Sequence, residues 1–310
     1  MAVPEGTSTG TVAVGNLVQA AYDQYVRMAL RSIPVMRAIA DVKPVQQAMP
    51  GSSVVFSIYS DLNAATSTLT ETADVSSIAL GNPSQVTVTL QEYGSAVTTT
   101  KKLNLTSFND VDAALANIIA YNAADSIDQV VAGVLTAGTN VIYAGTTATS
   151  TNSITSSDVI RVADIREAVV QLRTNKALPR IGELYAAYLH PRQSADLRAE
   201  SGTGGFQELT KYVERTPFVA GAVGVIEGAF IVETPRVPFA NNSNSIPVYK
   251  AVIAGREALA EAMAQDITTV IGPEIDALRR FRTIGWYYFG GFNRLREAAL
   301  YRIESAASIN

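Results

Sequence analysis

Between Asn109 and Gly138 the apolar residues Leu115, Ile118, Ile119, Val130, Val131 and Val134 recur at spacings of three and four, which predicts one long helix with an apolar stripe. Asn109 is placed to accept first-turn amides, Asp110 and Asp112 put negative charge at the positive end of the helix dipole, and Gly138 follows as a C-terminal cap. Such a helix spans roughly 40 Å at about 1.5 Å per residue, the length of a spine. Elsewhere the period changes. From Ser84 to Leu90, Val86, Val88 and Leu90 alternate with Gln85, Thr87 and Thr89, as in a half-buried strand, and Ser53 to Tyr59 reads as its partner. The Ser/Thr/Ala-rich stretch between them is longer than compact domains usually tolerate, and loops of that length are more often interaction devices than filler.

The remaining pattern fills in the order of parts. Residues 1–15 read as an irregular arm, Asn16 to Arg31 as a helix stopped by Pro34, and Val35 to Ala40 as a short turn or helix before Pro44. Met49-Pro50-Gly51 is a turn. After a Thr/Ser loop from Gly145 to Ser157, a second amphipathic helix runs from Asp158 to Lys176 with Val162, Ile165, Val169 and Leu172 on one side. Leu184 to Leu189 reads as a buried strand, Arg192 to Ala199 as a short helix, and Val225 to Glu233 and Pro247 to Ala254 as strands. Arg256 to Met263 reads as a short helical run, and Arg294 to Ile303 as a last strand.

Composition narrows the classes. Of 310 residues 47% are apolar and 17% charged, enough to bury sizeable cores and without a disorder signature. A net charge of −4 argues against a dedicated nucleic-acid binder, and zero cysteines exclude disulfides and Cys-based zinc sites. No signal peptide pattern or long apolar window is present, so a cytoplasmic origin and no membrane partner are expected. Charge is unevenly spread. Residues 48–93 hold Asp61, Glu71, Asp74 and Glu92 and no Lys or Arg, whereas residues 273–310 hold six arginines against four acids.

Candidate chemistry is sparse. His190, the single histidine, sits between a strand and Pro191 and reads as structural. Asp125 and Asp128 share a helix face and read as a solvated carboxylate pair rather than a site for a hard cation. Gly202-Thr203-Gly204-Gly205 lacks the Lys-Ser/Thr of a phosphate loop, and Gly221, Gly224 and Gly228 lack dinucleotide spacing. Trp286 to Phe289 read as packing aromatics in a strand. No catalytic, cofactor or metal residue is therefore assigned, and no enzyme activity is expected.

The order of arm, extended hairpin, spine helix, second α/β region and closing strand resembles the major capsid proteins of tailed phages with the Hong Kong 97-like fold, an α+β architecture. Leu90-Gln91-Glu92-Tyr93-Gly94, Tyr188-Leu189-His190-Pro191 and Leu295 to Glu304 are similar to the Enquatrovirus-type branch. The resemblance implies an N-terminal arm at 1–47, an extended loop at 48–93, a peripheral domain from 94–157 and 267–310, and an axial domain at 158–266. It also implies pentamers and hexamers that close an icosahedral virion shell around double-stranded DNA. Assembly would take place in the host bacterial cytoplasm, with scaffolding, decoration and portal proteins as further partners. Some relatives join a loop Lys to a neighbour's Asn. No Lys lies in 48–93, so no covalent crosslinking from that loop is expected, and no large cleaved pre-segment is expected ahead of the arm. The charge map adds an expected contact between subunits, from Asp61, Glu71 or Asp74 to Arg279, Arg280 or Arg282. The alternative is that these arginines lie over their own surface or face DNA. Encapsulin compartments share the fold and remain an alternative reading; a β-rich surface adhesin and a hydrolase fit the residues less well.

Overall fold

The computed structural model describes residues 34–44, 52–59, 61–66, 68–69, 71–72, 74–75, 77–106, 111–145, 147–201, 224–273 and 278–309. The predicted arm helix, Met49-Pro50-Gly51, Asn109, Asp110 and the Gly202 loop lie outside them. A 3-10 turn (Met36–Ile39) leads into β1 (Ala40–Pro44), followed by the hairpin strands β2 (Ser53–Ile58) and β3 (Ser84–Thr89). Next come β4 (Gln91–Thr100), α1 (Lys101–Thr106), α2 (Val111–Thr136) and β5 (Val141–Tyr143). The middle of the chain supplies α3 (Val162–Thr174), β6 (Tyr185–Leu189), α4 (Pro191–Ala199), β7 (Val225–Ile226), β8 (Ala229–Glu233) and β9 (Phe239–Asn241). It closes with β10 (Pro247–Ala254), β11 (Leu259–Ile271), β12 (Phe281–Arg294) and β13 (Leu300–Ser305). These strands form a four-stranded sheet in the order β1-β11-β12-β4 and a seven-stranded sheet in the order β5-β13-β10-β6-β8-β7, with β9 on β10. β2 and β3 form a separate ribbon.

The spine is α2, and its buried stripe differs in detail from the predicted one. Ile119, Ala123, Ile127, Val131 and Leu135, four residues apart, form its buried apolar row, flanked by buried Asp128, Ala132 and Thr136, whereas Ile118 is 45% exposed. Alanine at 123 and 132 lets the helix approach β12 and the sheet, a role that counting large apolar residues misses. The first half of the stripe packs on Ile284, Trp286 and Tyr288 of β12. Its second half packs on Tyr188, Val252 and Leu300 of the seven-stranded sheet and on Met36 and Ile39 of the arm. No basic residue lies in its own last turn. Arg294 from β12 donates to the Val134 carbonyl at 3.1 Å, and Arg302 from β13 donates to the carbonyls of Thr136 and Gly138, so distant cations meet the negative helix end.

The seven-stranded sheet is covered on both faces, which is why β6 is buried at every position. Tyr185, Ala187 and Leu189 face α3 through Ile165, Val169 and Leu172, while Ala186 and Tyr188 face the spine. The α3 helix begins at Val162 rather than Asp158, because the Asp158 carboxylate is taken by the amide and hydroxyl of Thr155 at 2.8 Å and Val159 bridges to Ala306. The predicted strand over 225–233 is split into β7 and β8 by Glu227 and Gly228, both with positive φ. The last strand starts later than expected, after a 3-10 turn over Glu297–Ala299.

One element changes class. Residues 256–263 are helical by propensity, being rich in Ala, Glu, Leu and Met, yet they enter β11. Leu259 to Met263 pair in parallel with β1 and antiparallel with β12. Ala260 and Ala262 face Val54, Val88 and Leu90 of the hairpin, while Leu259 turns into the spine core, so alternate burial on two faces outweighs local preference.

Candidate interaction surface

Between β2 and β3 nearly every described residue is exposed. Tyr59, Leu62, Leu69, Val75, Ile78 and Leu80 are each more than half exposed. Between Tyr59 and Pro83 the described residues belong to no helix or strand. Exposed aliphatic side chains repeated along a segment without helix or strand mark a candidate interaction surface. The base is firm. Gly291 of β12 lies so close to β3 that a Cβ there would overlap the Thr89 carbonyl, and Asn293 donates to the Thr87 carbonyl at 2.9 Å.

The six residues expected to join subunits occupy two regions. Asp61 lines a pocket of about 280 Å³ with Lys176, Arg256, Glu257 and Arg296 of its own chain. Glu71 and Asp74 are exposed further along the loop, and Asp74 accepts the Val75 amide at 2.8 Å. The arginines lie past the other end of β4. Arg282 stands across from Thr99, Phe281 from Thr100, and the Lys101 amide donates to the Arg280 carbonyl at 2.8 Å. Arg279 holds a positive φ in the turn, and Arg280 lies over the Phe281 ring. The sequence reading overlooked that Lys101 and Lys102 join this corner. Their adjacent positions were legible, but only the β4–β12 register brings them beside the arginines.

Asp125 and Asp128 are neither a cation site nor a solvated pair. Asp128 is 1% exposed; its carboxylate accepts the Met36 and Arg37 amides at 2.7 and 3.2 Å. Arg236, between β8 and β9, pairs with Asp125, lies 3.8 Å from Asp128 and donates to the Tyr121 hydroxyl at 2.6 Å. Partners 91 to 111 residues away in sequence could not be read from helix-face spacing. A second, partly buried joint holds the arm: Arg37 pairs with buried Glu261 at 2.6 Å and exposed Asp266 at 3.1 Å, and Tyr288 donates to Glu261 at 2.9 Å. Burial opposes the Arg37 cation, but the hydrogen bonds and charges of those two acids outweigh it and raise its pKa. Burial also raises the Tyr288 hydroxyl, with Glu261 adding to it.

His190 is structural, as expected. Its Nδ1 accepts the Arg192 amide at 3.2 Å at the start of α4, its ring lies 4.6 Å from Tyr249, and burial, helped by Arg192, lowers its pKa. The aromatic run also packs: Trp286 and Tyr288 are buried, and the Trp286 indole donates to Asn122 at 2.9 Å.

The model of the family described as phage capsid protein matches residues 11–309. Among solved structures, the chain is similar to the capsid of the cyanophage P-SCSP1u at 18% identity and a TM-score of 0.74, over 95% of each chain. It is similar to the capsid of Ralstonia phage GP4 at 16% identity and a TM-score of 0.74, over 97% of this chain and 98% of that one. The acid-stable capsid of Helicobacter pylori bacteriophage KHP30 gives 14% identity and a TM-score of 0.75, over 98% of this chain and 100% of that one. No curated protein sequence matches.

Proposed function

We infer the role of this chain from one premise, that it belongs to the phage capsid protein family. It is a structural major capsid protein with the Hong Kong 97-like fold, and its place is the virion capsid. Copies associate as pentamers and hexamers into an icosahedral shell that encloses the double-stranded DNA of a tailed phage, within the Enquatrovirus-type branch. Assembly proceeds in the host bacterial cytoplasm, with scaffolding, decoration and portal proteins as partners of the shell. The chain has no catalytic role. The observation that carries the shell reading, beside the family, is the loop of exposed aliphatic residues on a base locked to β12.

The extended loop 48–93 serves as the reaching part. Residues 94–157 and 267–310 form the peripheral domain, residues 158–266 the axial domain, and residues 1–47 an arm whose last turn is pinned to the spine by Asp128. Asp61, Glu71 or Asp74 of one copy meets Arg279, Arg280 or Arg282 of another, and the charge match sets register more than affinity. No covalent link forms from the loop, since residues 48–93 contain no Lys. No observation favours the encapsulin alternative.

The test is electron microscopy of the chain expressed alone and with its neighbouring gene products. Closed shells, or rings of five and six, are expected, with double-stranded DNA inside native particles. A chain that stays monomeric under every such condition overturns the shell reading. Particles boiled in denaturant should run as single chains, and a ladder of linked species overturns the absence of crosslinking.

A further inference from the structure

The four-stranded sheet has two edges of different character. Its β1 edge carries Lys43 and ends in Pro44, which blunts it. Its β4 edge is ten residues long, pairs with β12 without a register shift, and contains no Pro and one charge, Glu92. Because Lys101 donates to its register partner Arg280, the directly bonded pairs alternate back along β4. The backbone groups of Glu92, Gly94, Ala96, Thr98 and Thr100 therefore point away from β12, and the first four of these residues are exposed. No described strand pairs with that side.

The same chain holds a segment with the complementary need. Asp74, Val75, Ile78 and Leu80 are exposed on backbone that pairs with no strand of their own chain. Placing Asp74 beside the basic end of β4, next to Lys101 and Arg280, fixes the direction as antiparallel. Ile78 then falls opposite Ala96 and Leu80 opposite Gly94. On that face β12 offers Gly285 beneath Ala96 and Tyr287 beneath Gly94, a shallow surface of small residues with one aromatic wall. Leu80 and Ile78 would cover it, while the added backbone satisfies the open amides and carbonyls.

We propose that the open edge of β4 in one copy receives residues 77–80 of a second copy as an added antiparallel strand, with Asp74 at its basic end. This rests on the shell reading and specifies the contact. Hydrogen exchange on the native sequence tests it: the amides of Gly94 and Ala96 exchange freely in unassembled protein and become protected in shells. The cysteine-free chain permits a second measurement. Ala96→Cys is combined in separate variants with Val75→Cys, Ile78→Cys or Leu80→Cys, and at least one pair should give disulfide-linked chains under oxidation in shells and none in monomers. Ala96→Pro removes an outward donor without breaking a β4–β12 bond, and should raise the concentration needed for shells about fivefold, the equivalent of ~1 kcal/mol for one lost hydrogen bond. Shells whose β4 amides remain unprotected overturn the edge contact. Protected amides with no disulfide from any pair overturn the choice of occupant. Failure of the native sequence to form shells removes the shell reading itself, and this proposal with it.

Discussion

At Asp128 a single buried carboxylate accepts two arm amides and stands beside Arg236. Asp128→Ala leaves those two amides without their acceptor while Arg236 keeps Asp125 and the Tyr121 hydroxyl, and should destabilise the protein by ~1–3 kcal/mol, the cost of unsatisfied buried donors. Denaturant unfolding of the unassembled protein measures it. Asp164 makes a prediction in pH. Burial pushes its carboxyl up to about 6, Glu167 and Glu200 add to the shift, and its bond to the Arg161 amide opposes it. The folded chain thus holds this proton to higher pH than the unfolded chain. The stabilisation is complete below about pH 4 and is lost as pH rises through about 6. Asp164→Asn should remove ~1–2 kcal/mol of that fall, read as the difference between wild-type and variant stability across pH 4–7. Neither residue's environment was legible in the sequence. The i, i+3 spacing of Asp125 and Asp128 shows that they share a side of the helix, but not that Arg236 and the arm turn close over it.

Among the elements, those whose burial follows their own periodicity were legible: the spine, the loop strands, α3 and β6. The element that misled was β11, where Ala, Leu, Glu and Met favour a helix and only the pairing with β1 and β12 makes a strand. The glycines of β12 make that packing possible. A Cβ at Gly290 would lie 2.8 Å from the Ala262 carbonyl, and one at Gly291 would overlap that of Thr89. Gly291→Ala should therefore unseat the hairpin base and cost ~1–3 kcal/mol, as overpacking of a tight site does. Thermal unfolding gives the size, and faster proteolysis within residues 52–90 shows where the loss falls.

Across the whole molecule, charge distinguishes two regions. The loop is purely acidic and the corner formed by Lys101, Lys102 and the three arginines is basic. Arg280→Glu with Arg282→Glu should lower shell yield and weaken its dependence on salt, since exposed pairs of ~0–1 kcal/mol are screened but repeat at every contact. Light scattering against salt concentration reads both, and unchanged curves remove the pairing. The sequence could indicate the two charged regions, but their relation to the β4 edge depends on a register that only the folded sheet supplies.

The Asp128 joint also bears on mechanics. One carboxylate ties together the arm turn, the spine and, through Arg236, the strands that follow β8. Tension applied to the arm by an adjoining copy therefore does not end in the arm. It passes through two hydrogen bonds into α2 and through the guanidinium into the seven-stranded sheet, so the parts carry load as one strut.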